Sequence, residues 1–227
     1  MIECILLSTS AGNFYAHHFQ GKSDSLLVFI PGLMEPKAGL FYIWNEMASD
    51  FYNKGHSCLL FDLAGQGDSL LPFSFDLWVE QRNAILNEFK DKNIHFIARG
   101  IGTILLTSDQ INIAIYPSLF APVAKQSKCI RWAQSSFHPN FITPAEPQAL
   151  SDIEKDFFHR LGAEAECIGG LQVPSTFNDD LLHRLPHKLP DNVFCYEAEE
   201  DHPLFDKQSQ RDALLRAIAK DLDLRIS

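Results

Sequence analysis

The chain has 227 residues, of which 46% are hydrophobic, which is enough for one sizeable core and a single domain of ordinary size. Its 29 acidic and 19 basic residues give a net charge of -10, which repels phosphate backbones and anionic membrane surfaces. We therefore expect neither a nucleic-acid-binding protein nor a membrane-surface protein.

The cysteines and the N-terminal sequence indicate the cellular compartment in which the protein resides. The N-terminal MIECILLSTSAG has an acidic residue and only a short apolar run, unlike a signal peptide. No segment reaches the roughly 18 continuous apolar residues of a membrane span. The cysteines are scattered without CxxC pairing, which is typical of reduced thiols: Cys4, Cys58, Cys129, Cys167 and Cys195. We expect a cytoplasmic protein without a membrane span.

Short apolar runs of strand length alternate with stretches of helical spacing. The strand-like runs are 3–7, 14–19, 25–31, 57–62, 94–98, 111–116 and 192–198, and the helical stretches are 41–53, 75–89, 101–108 and 206–221. The third and fourth runs are apolar almost throughout, as expected for parallel strands covered on both faces. The alternation predicts an α/β protein of three layers, with a mostly parallel sheet and an N-terminal antiparallel edge hairpin.

The strand rhythm fails between residues 129 and 190, where proline, histidine and charged residues are frequent. This predicts a helical insertion or lid at 129–190, before the last strands and within one domain spanning 1–227. Residues 222–226 alternate as a last strand would. An uncovered edge there would be a template for association with another chain, including a second copy.

Two motifs at strand ends resemble those of the α/β-hydrolase superfamily. Residues 29–33 (FIPGL) look like the loop that donates one N–H to an oxyanion. Residues 61–69 (FDLAGQGDS) closely resemble the family's D-x-x-G-x-G-x-S loop. The resemblance implies the three-layer α/β-hydrolase fold.

A third motif, FIARGIG at 96–102, is similar to the nucleophile elbow G-x-S-x-G, in which a sharp turn presents a serine. Aligning the small residues places Ala98 and Gly102 at its flanks and Gly100 where the family has serine. Glycine adopts the positive φ of such a bend without the roughly 1 to 3 kcal/mol of strain that another residue bears. The resemblance therefore implies a degenerate elbow without an attacking hydroxyl.

The acid position of the family has a matching residue in this sequence, whereas the histidine position has none. Residues 197–205 (EAEEDHPLF) resemble the strand end that carries the family's acid, with Asp201 in that place. No histidine follows His202, and adjacent residues cannot readily form the acid–histidine hydrogen bond of a triad. Both are therefore weak catalytic candidates that fit a solvated turn. Ser69 is a third candidate, although serine in such a loop more often bonds the backbone.

A narrower resemblance extends over most of the chain. PGLMEPKAG, DLAGQGDS, DLWVEQ and CIGGLQVPSTFNDDLL look like segments of the hydrolase-like proteins associated with exosortase systems. Members of that group also lack a serine at the elbow and have a bulky basic residue there instead. This chain departs from them, with Gly100 in that position and Arg99 before it.

Several charged residues are expected near the carboxyl edge of the sheet, where ligands of open α/β sheets bind. Glu35, Lys37 and Arg99 either face a ligand there or are surface charges. The N–H groups of Leu33 and Ile101 would form a vestigial anion site. The predicted ligand-binding set is Leu33, Glu35, Arg99, Gly100 and Ile101.

No metal and no cofactor are expected. Nine histidines are present, but no HExxH motif occurs. His17 and His18 are adjacent on a strand and point to opposite faces, and Pro186 interrupts the spacing between His183 and His187. Neither a Gly-rich dinucleotide fingerprint nor a P-loop lysine motif is found.

Three functional hypotheses follow. The first is a catalytically impaired, hydrolase-like protein that binds a small acyl or carboxylate ligand, or a partner protein, through the cleft. The second is an active esterase or thioesterase that uses water or an unusual nucleophile such as Ser69. The third is a subunit that associates through its sheet edge.

Overall fold

A computed structural model gives the fold for residues 1–32, 35–39, 42–107, 111–115, 167–168, 171–172, 180, 184, 192–196 and 208–222. Its centre is a seven-stranded sheet that consists of β1 (Ile2–Thr9), β2 (Gly12–Phe19), β3 (Ser25–Ile30), β4 (Ser57–Phe61), β5 (Asn93–Arg99), β6 (Asn112–Ile115) and β9 (Val193–Tyr196). The order of these strands across the sheet is β1-β2-β4-β3-β5-β6-β9. A separate antiparallel ribbon consists of β7 (Cys167–Ile168) and β8 (Leu171–Gln172).

Strand directions in the sheet are mixed. β1 pairs with β2, and β2 with β4, in antiparallel fashion, whereas β3, β4, β5, β6 and β9 run parallel to one another. The predicted parallel sheet with an antiparallel hairpin at one edge is thus confirmed. Because the carboxyl ends of parallel strands meet at one edge of a sheet, the loops leaving β3, β4 and β5 lie side by side.

Helices cover both faces of this sheet. The helices are α1 (Ile43–Asn53), α2 (Phe75–Glu88) and α3 (Gln208–Asp221). Val28 packs in a core cluster with α2, whereas its neighbour Leu27 packs in a second cluster with α1 and α3. Every residue of β4 is buried, as predicted for a strand covered on both faces. The three-layer architecture is therefore confirmed.

The segment after β5 differs from the expected helix at 101–108. It forms a 3-10 helix, Gly100–Leu105, and Leu106 is already extended at φ -72° and ψ 140°. Two glycines in this short stretch disfavour a longer α-helix, because glycine loses more backbone entropy than other residues.

Parts of the chain that the sequence singled out are only partly described. Most of the predicted insertion at 129–190 lies outside the described residues, and what is described there includes the β7–β8 ribbon, which a purely helical insertion does not contain. The predicted last strand at 222–226 lies outside them, except for Leu222. Within the described residues, no helix combines the length and apolar character needed to cross a membrane.

The 3-10 helix lies very close to the end of β3. A Cβ placed on Gly102 would stand 2.6 Å from the carbonyl oxygen of Pro31 and 2.8 Å from Cγ2 of Ile30. Because one of these neighbours is backbone, it cannot move aside without displacing the loop after β3. Glycine at this position therefore sets how closely the bend approaches β3.

We expect Gly102→Ala to lower the free energy of unfolding by about 1–3 kcal/mol through this steric overlap. Urea denaturation followed by circular dichroism measures the change. The matched control is Gly55→Asn, because Gly55 has φ 93° and open space around its Cβ position. We expect a loss below about 1 kcal/mol there, since asparagine tolerates positive φ. Equal losses in the two variants would contradict the proposed contact.

Candidate functional site

The bend after β5 carries no side chain. β5 ends at Arg99, and the 3-10 helix begins at Gly100, whose φ is 52°. This is the left-handed region, which glycine adopts without strain. Ile101 follows and is fully buried. The backbone turns sharply here at the carboxyl edge of the sheet, with no hydroxyl at its tip.

A buried ion pair lies beside this bend. Nη1 of Arg99 donates a hydrogen bond to Oε1 of Glu35 at 2.6 Å, and the N–H of Gly32 donates to Oε2 of Glu35 at 2.8 Å. Glu35 is 4% exposed and Arg99 is 6% exposed. The interpretation of these two residues as surface charges is therefore wrong. The structure instead brings together two residues of the predicted ligand-binding set.

The ion pair joins the loops that leave two adjacent strands. Ile30 at the end of β3 is paired with Ala98 near the end of β5, so both loops emerge at the same level. Removing charged groups from water is costly unless partners are present. The carboxylate of Glu35 meets this condition with the guanidinium of Arg99 at the end of β5 and with the N–H of Gly32 in its own loop.

A second polar cluster lies at the end of β4. The buried Asp62 accepts hydrogen bonds from the N–H of Lys37 at 2.7 Å, from Nζ of Lys37 at 2.9 Å and from the N–H of Asp68 at 3.1 Å. Nζ of Lys37 also donates to Oδ2 of Asp68 at 2.6 Å. Gly67 has φ 55°, and a Cβ there would meet Oδ1 of Asp62 at 2.2 Å. The carboxylate of Asp62 therefore fixes the conformation of the DLAGQGDS loop through a hydrogen bond to Asp68 and close packing against Gly67.

Helix α2 holds the same loop from the other side. Nε1 of Trp78 donates to the carbonyl of Ala64 at 2.9 Å. Gln81 is fully buried, and its amide accepts from the N–H of Ala64 at 2.8 Å and donates to the carbonyl of Asp62 at 3.0 Å. The DLWVEQ and DLAGQGDS motifs thus form one hydrogen-bonded unit. Their polar residues have a structural role that does not require a catalytic one.

The charges in this cluster shift two pKa values. Burial alone would lower the pKa of Lys37, but the hydrogen bonds and charges of Asp68 and Asp62 outweigh it and raise the pKa above its ordinary value of 10.5. The hydrogen bond and charge of Lys37 lower the pKa of Asp68 below its ordinary value of 3.8. Both shifts favour the charged forms.

Ser69 closes its own loop. Its N–H donates to the carbonyl of Gln66 at 3.0 Å, and its Oγ accepts from the N–H of Leu71 at 3.4 Å. The hydroxyl therefore makes the backbone contact expected of a turn serine. It also lines the cavity described next.

A cavity of about 330 Å³ lies between this loop and the N-terminal hairpin. Its volume falls within the range of small-molecule sites. Its lining comes from the hairpin (Cys4, Phe14, Tyr15 and His17) and from the polar cluster (Lys37, Asp62, Asp68 and Ser69). The sequence did not indicate this cavity, although β1 sets Cys4 directly opposite His17 of β2.

Three predicted site residues lie outside the described residues. These are Leu33, Asp201 and His202, so their contacts with the site remain expectations from sequence. The pairing of Glu35 with Arg99 and of Lys37 with Asp62 was also not predicted. A charged residue at the end of a buried strand was the available signal for each pair, since Arg99 is the last residue of β5 and Asp62 directly follows β4.

Comparison with known proteins identifies the fold. No protein-family model and no curated protein sequence matches the chain. Among solved structures, it resembles an esterase of Pyrococcus furiosus, with a TM-score of 0.58, 12% identity and coverage of 98% of this chain and 92% of the esterase. It also resembles mouse alpha/beta hydrolase domain-containing protein 10, with a TM-score of 0.60, 14% identity and coverage of 97% and 98%.

A third similar structure is an epoxide hydrolase from an endophytic Streptomyces, with a TM-score of 0.58 and 13% identity. The match covers 98% of this chain and 95% of the epoxide hydrolase. These neighbours have different activities by name. At such low identity the likeness concerns the backbone architecture rather than the chemistry.

We expect Arg99→Met to lower the free energy of unfolding by about 3–5 kcal/mol, because it leaves the buried Glu35 carboxylate without its guanidinium. The double variant Glu35→Gln/Arg99→Met should lose less than the sum of the single losses. Urea denaturation measures Arg99→Met, Glu35→Gln and the double variant. Arg211→Met is the matched control, because its partner Glu46 is half-exposed, and we expect about 0–1 kcal/mol there. A loss as small as the control's would contradict a structural role of the buried pair.

We expect Lys37→Met to lower the free energy of unfolding by about 1–2 kcal/mol at neutral pH. Because the folded-state pKa of Lys37 is raised, its contribution is complete below pH 10.5 and disappears as pH rises through the raised value. Because the pKa of Asp68 is lowered, its contribution is present above pH 3.8 and disappears as pH falls through the lowered value. The free energy of unfolding of Lys37→Met, measured against pH, should therefore approach that of the wild type at both extremes of pH.

The control for this pH series is Lys90→Met, which removes an exposed lysine. Its unfolding curve should follow that of the wild type across the range. The ionic contribution would be ruled out if the difference in free energy of unfolding between Lys37→Met and the wild type did not shrink below pH 3.8 or above pH 10.5.

Proposed function

On the premise that the chain has the α/β-hydrolase fold, we propose that it is a hydrolase-like protein without hydrolase activity. Its role is to bind a small acyl or carboxylate-bearing ligand, or a partner protein that presents such a group, at the carboxyl edge of the sheet. The observation that carries the proposal is the bend at Gly100, which has no side chain and directly follows Arg99, the donor to the buried Glu35 carboxylate.

The chemistry of the bend supports binding rather than covalent catalysis. Acyl transfer through a covalent intermediate needs a nucleophilic oxygen or sulfur at the point of attack. Gly100 offers neither, whereas Arg99 and the N–H of Gly32 are donors of the kind that bind carboxylates and carbonyl oxygens. A donor set without a nucleophile suits a ligand-binding role.

We also propose that the chain belongs with the hydrolase-like proteins of exosortase systems and acts in the cytoplasm. The motif segments shared with that group support the first part. Two observations support a cytoplasmic location. Cys4 and Cys58 are free thiols in the structure. Burial raises the pKa of the Cys58 thiol, which suits a reduced core residue. If the partner is a protein, we expect it to be another component of an exosortase system.

A second candidate function is an esterase or thioesterase that uses Ser69. The observation in its favour is that Ser69 lines the 330 Å³ cavity together with His17 and Asp68. In this version the Ser69 hydroxyl loses its proton to a base and attacks an ester or thioester carbonyl, the alcohol or thiol leaves, and water then hydrolyses the acyl-enzyme. Alternatively, a carboxylate takes a proton from water, which attacks the carbonyl directly and displaces the alcohol or thiol. The backbone contact of Ser69 with Leu71 favours the first proposal, because it engages the hydroxyl in the loop.

A fluorophosphonate probe and p-nitrophenyl ester turnover separate the two candidates. We expect the purified protein to stay unlabelled and to hydrolyse esters no faster than buffer, because no serine stands at the bend. Labelling or turnover that disappears in Ser69→Ala would overturn the proposal and establish the second candidate. Turnover that persists in Ser69→Ala would point to direct attack by water.

A companion variant tests the bend itself. Gly100→Ser restores a hydroxyl at the tip, and Gly100→Ala controls for the strain of a side chain at φ 52°. We expect both variants to label at the same negligible rate, because a serine hydroxyl is a weak nucleophile without an adjacent general base. Faster labelling of Gly100→Ser would show that functional oxyanion donors remain at the bend.

A further inference from the structure

The carboxylate of Glu35 is held in the way that a bound carboxylate ligand would be held. One oxygen accepts from the guanidinium of Arg99 at 2.6 Å, and the other accepts from the N–H of Gly32 at 2.8 Å. The donors come from the ends of two neighbouring strands, β5 and β3. A guanidinium and a backbone N–H aimed at one carboxylate form a binding site in themselves.

This carboxylate belongs to a loop rather than to the sheet. Glu35 lies only three residues after Gly32, and its own N–H donates to the carbonyl of Gly32 at 3.3 Å. A group tethered through so short a loop acts as an intramolecular ligand with a high effective concentration. A free carboxylate at low concentration therefore competes poorly with it.

We propose that Arg99 and the N–H of Gly32 form a carboxylate-binding site that Glu35 occupies from within the chain, so that a carboxylate-bearing ligand binds by exchange with Glu35. This inference rests on the proposed function and specifies its ligand class and its regulation. Glu35 is thus the internal competitor of the ligand. Glu35 occupies the site until a carboxylate ligand displaces it.

Truncating the internal competitor tests the proposal. Glu35→Ala removes a methylene and a carboxylate, which acetate replaces almost atom for atom. We expect Glu35→Ala to have a lower Tm than the wild type, and acetate to raise it by about 3–6 °C at roughly ten times its dissociation constant. Acetamide has the same shape without the charge, and at equal ionic strength it should have no such effect.

Two control variants locate the effect. Glu46→Ala removes the half-exposed carboxylate that pairs with Arg211, and acetate should give no specific rise in Tm there. Glu35→Ala/Arg99→Met lacks the guanidinium and should not respond to acetate either. If acetate stabilised these variants as much as Glu35→Ala, or if acetamide acted as well as acetate, the proposal would be wrong.

Folding of the truncated variant does not limit the test. If Glu35→Ala does not fold in buffer, refolding from urea is measured in acetate and in acetamide. Recovery in acetate alone supports the proposal, and equal or absent recovery in both contradicts it. Fluorophosphonate labelling of the wild type would overturn the proposed function while leaving acetate rescue intact. Tight binding of a carboxylate by the wild type, without rescue of Glu35→Ala, would overturn only the exchange.

Discussion

The buried contact between Glu35 and Arg99 fixes how the loops after β3 and β5 lie against each other. Burying two charged groups is tolerated only while each has a partner, so the pair holds the loop after β3 against the end of β5 for as long as Glu35 stays bound to Arg99. The N–H of Gly32 holds the other oxygen of the Glu35 carboxylate within the loop after β3. Since Gly100 follows Arg99 directly, the position of the bend at the tip of the sheet depends on this contact.

The neighbouring loop after β4 is held by a separate set of bonds. The Asp62 carboxylate gathers the N–H groups of Lys37 and Asp68, while Trp78 and Gln81 of α2 hold the backbone of the same loop. The best-matched motif of the sequence is thus accounted for by hydrogen bonding and close packing. An α/β-hydrolase fold can retain this motif whether or not it retains a nucleophile.

How far the sequence predicted the molecule depends on the range of the interactions involved. The apolar runs that became β3 and β4 identified the parallel sheet, because burial on both faces leaves a local pattern. The bend at Gly100 was also locally encoded, since small residues surround it. The pairing of Glu35 with Arg99 was not, because these residues lie 64 positions apart and meet only once β3 and β5 are neighbours.

The same reasoning applies to the parts that sequence missed. The cavity beside Cys4 and His17 depends on how the hairpin lies against the β4 loop, which no single segment specifies. The 3-10 helix at Gly100–Leu105 replaced a predicted α-helix because two glycines weaken a pattern of apolar residues that would otherwise favour one. Strand order and loop geometry therefore determine the site, and local periodicity determines only its scaffold.

Strand β1 lies at the edge of the sheet, and its outer face carries the exposed side chains of Ile2 and Leu6. Such an edge is a template on which a second strand can add through backbone hydrogen bonds. The net charge of -10 opposes such an encounter between copies, and dissolved salt screens that repulsion over about 10 Å at 0.1 M. Dissolved salt therefore weakens the charge repulsion that keeps the β1 edges of two copies apart.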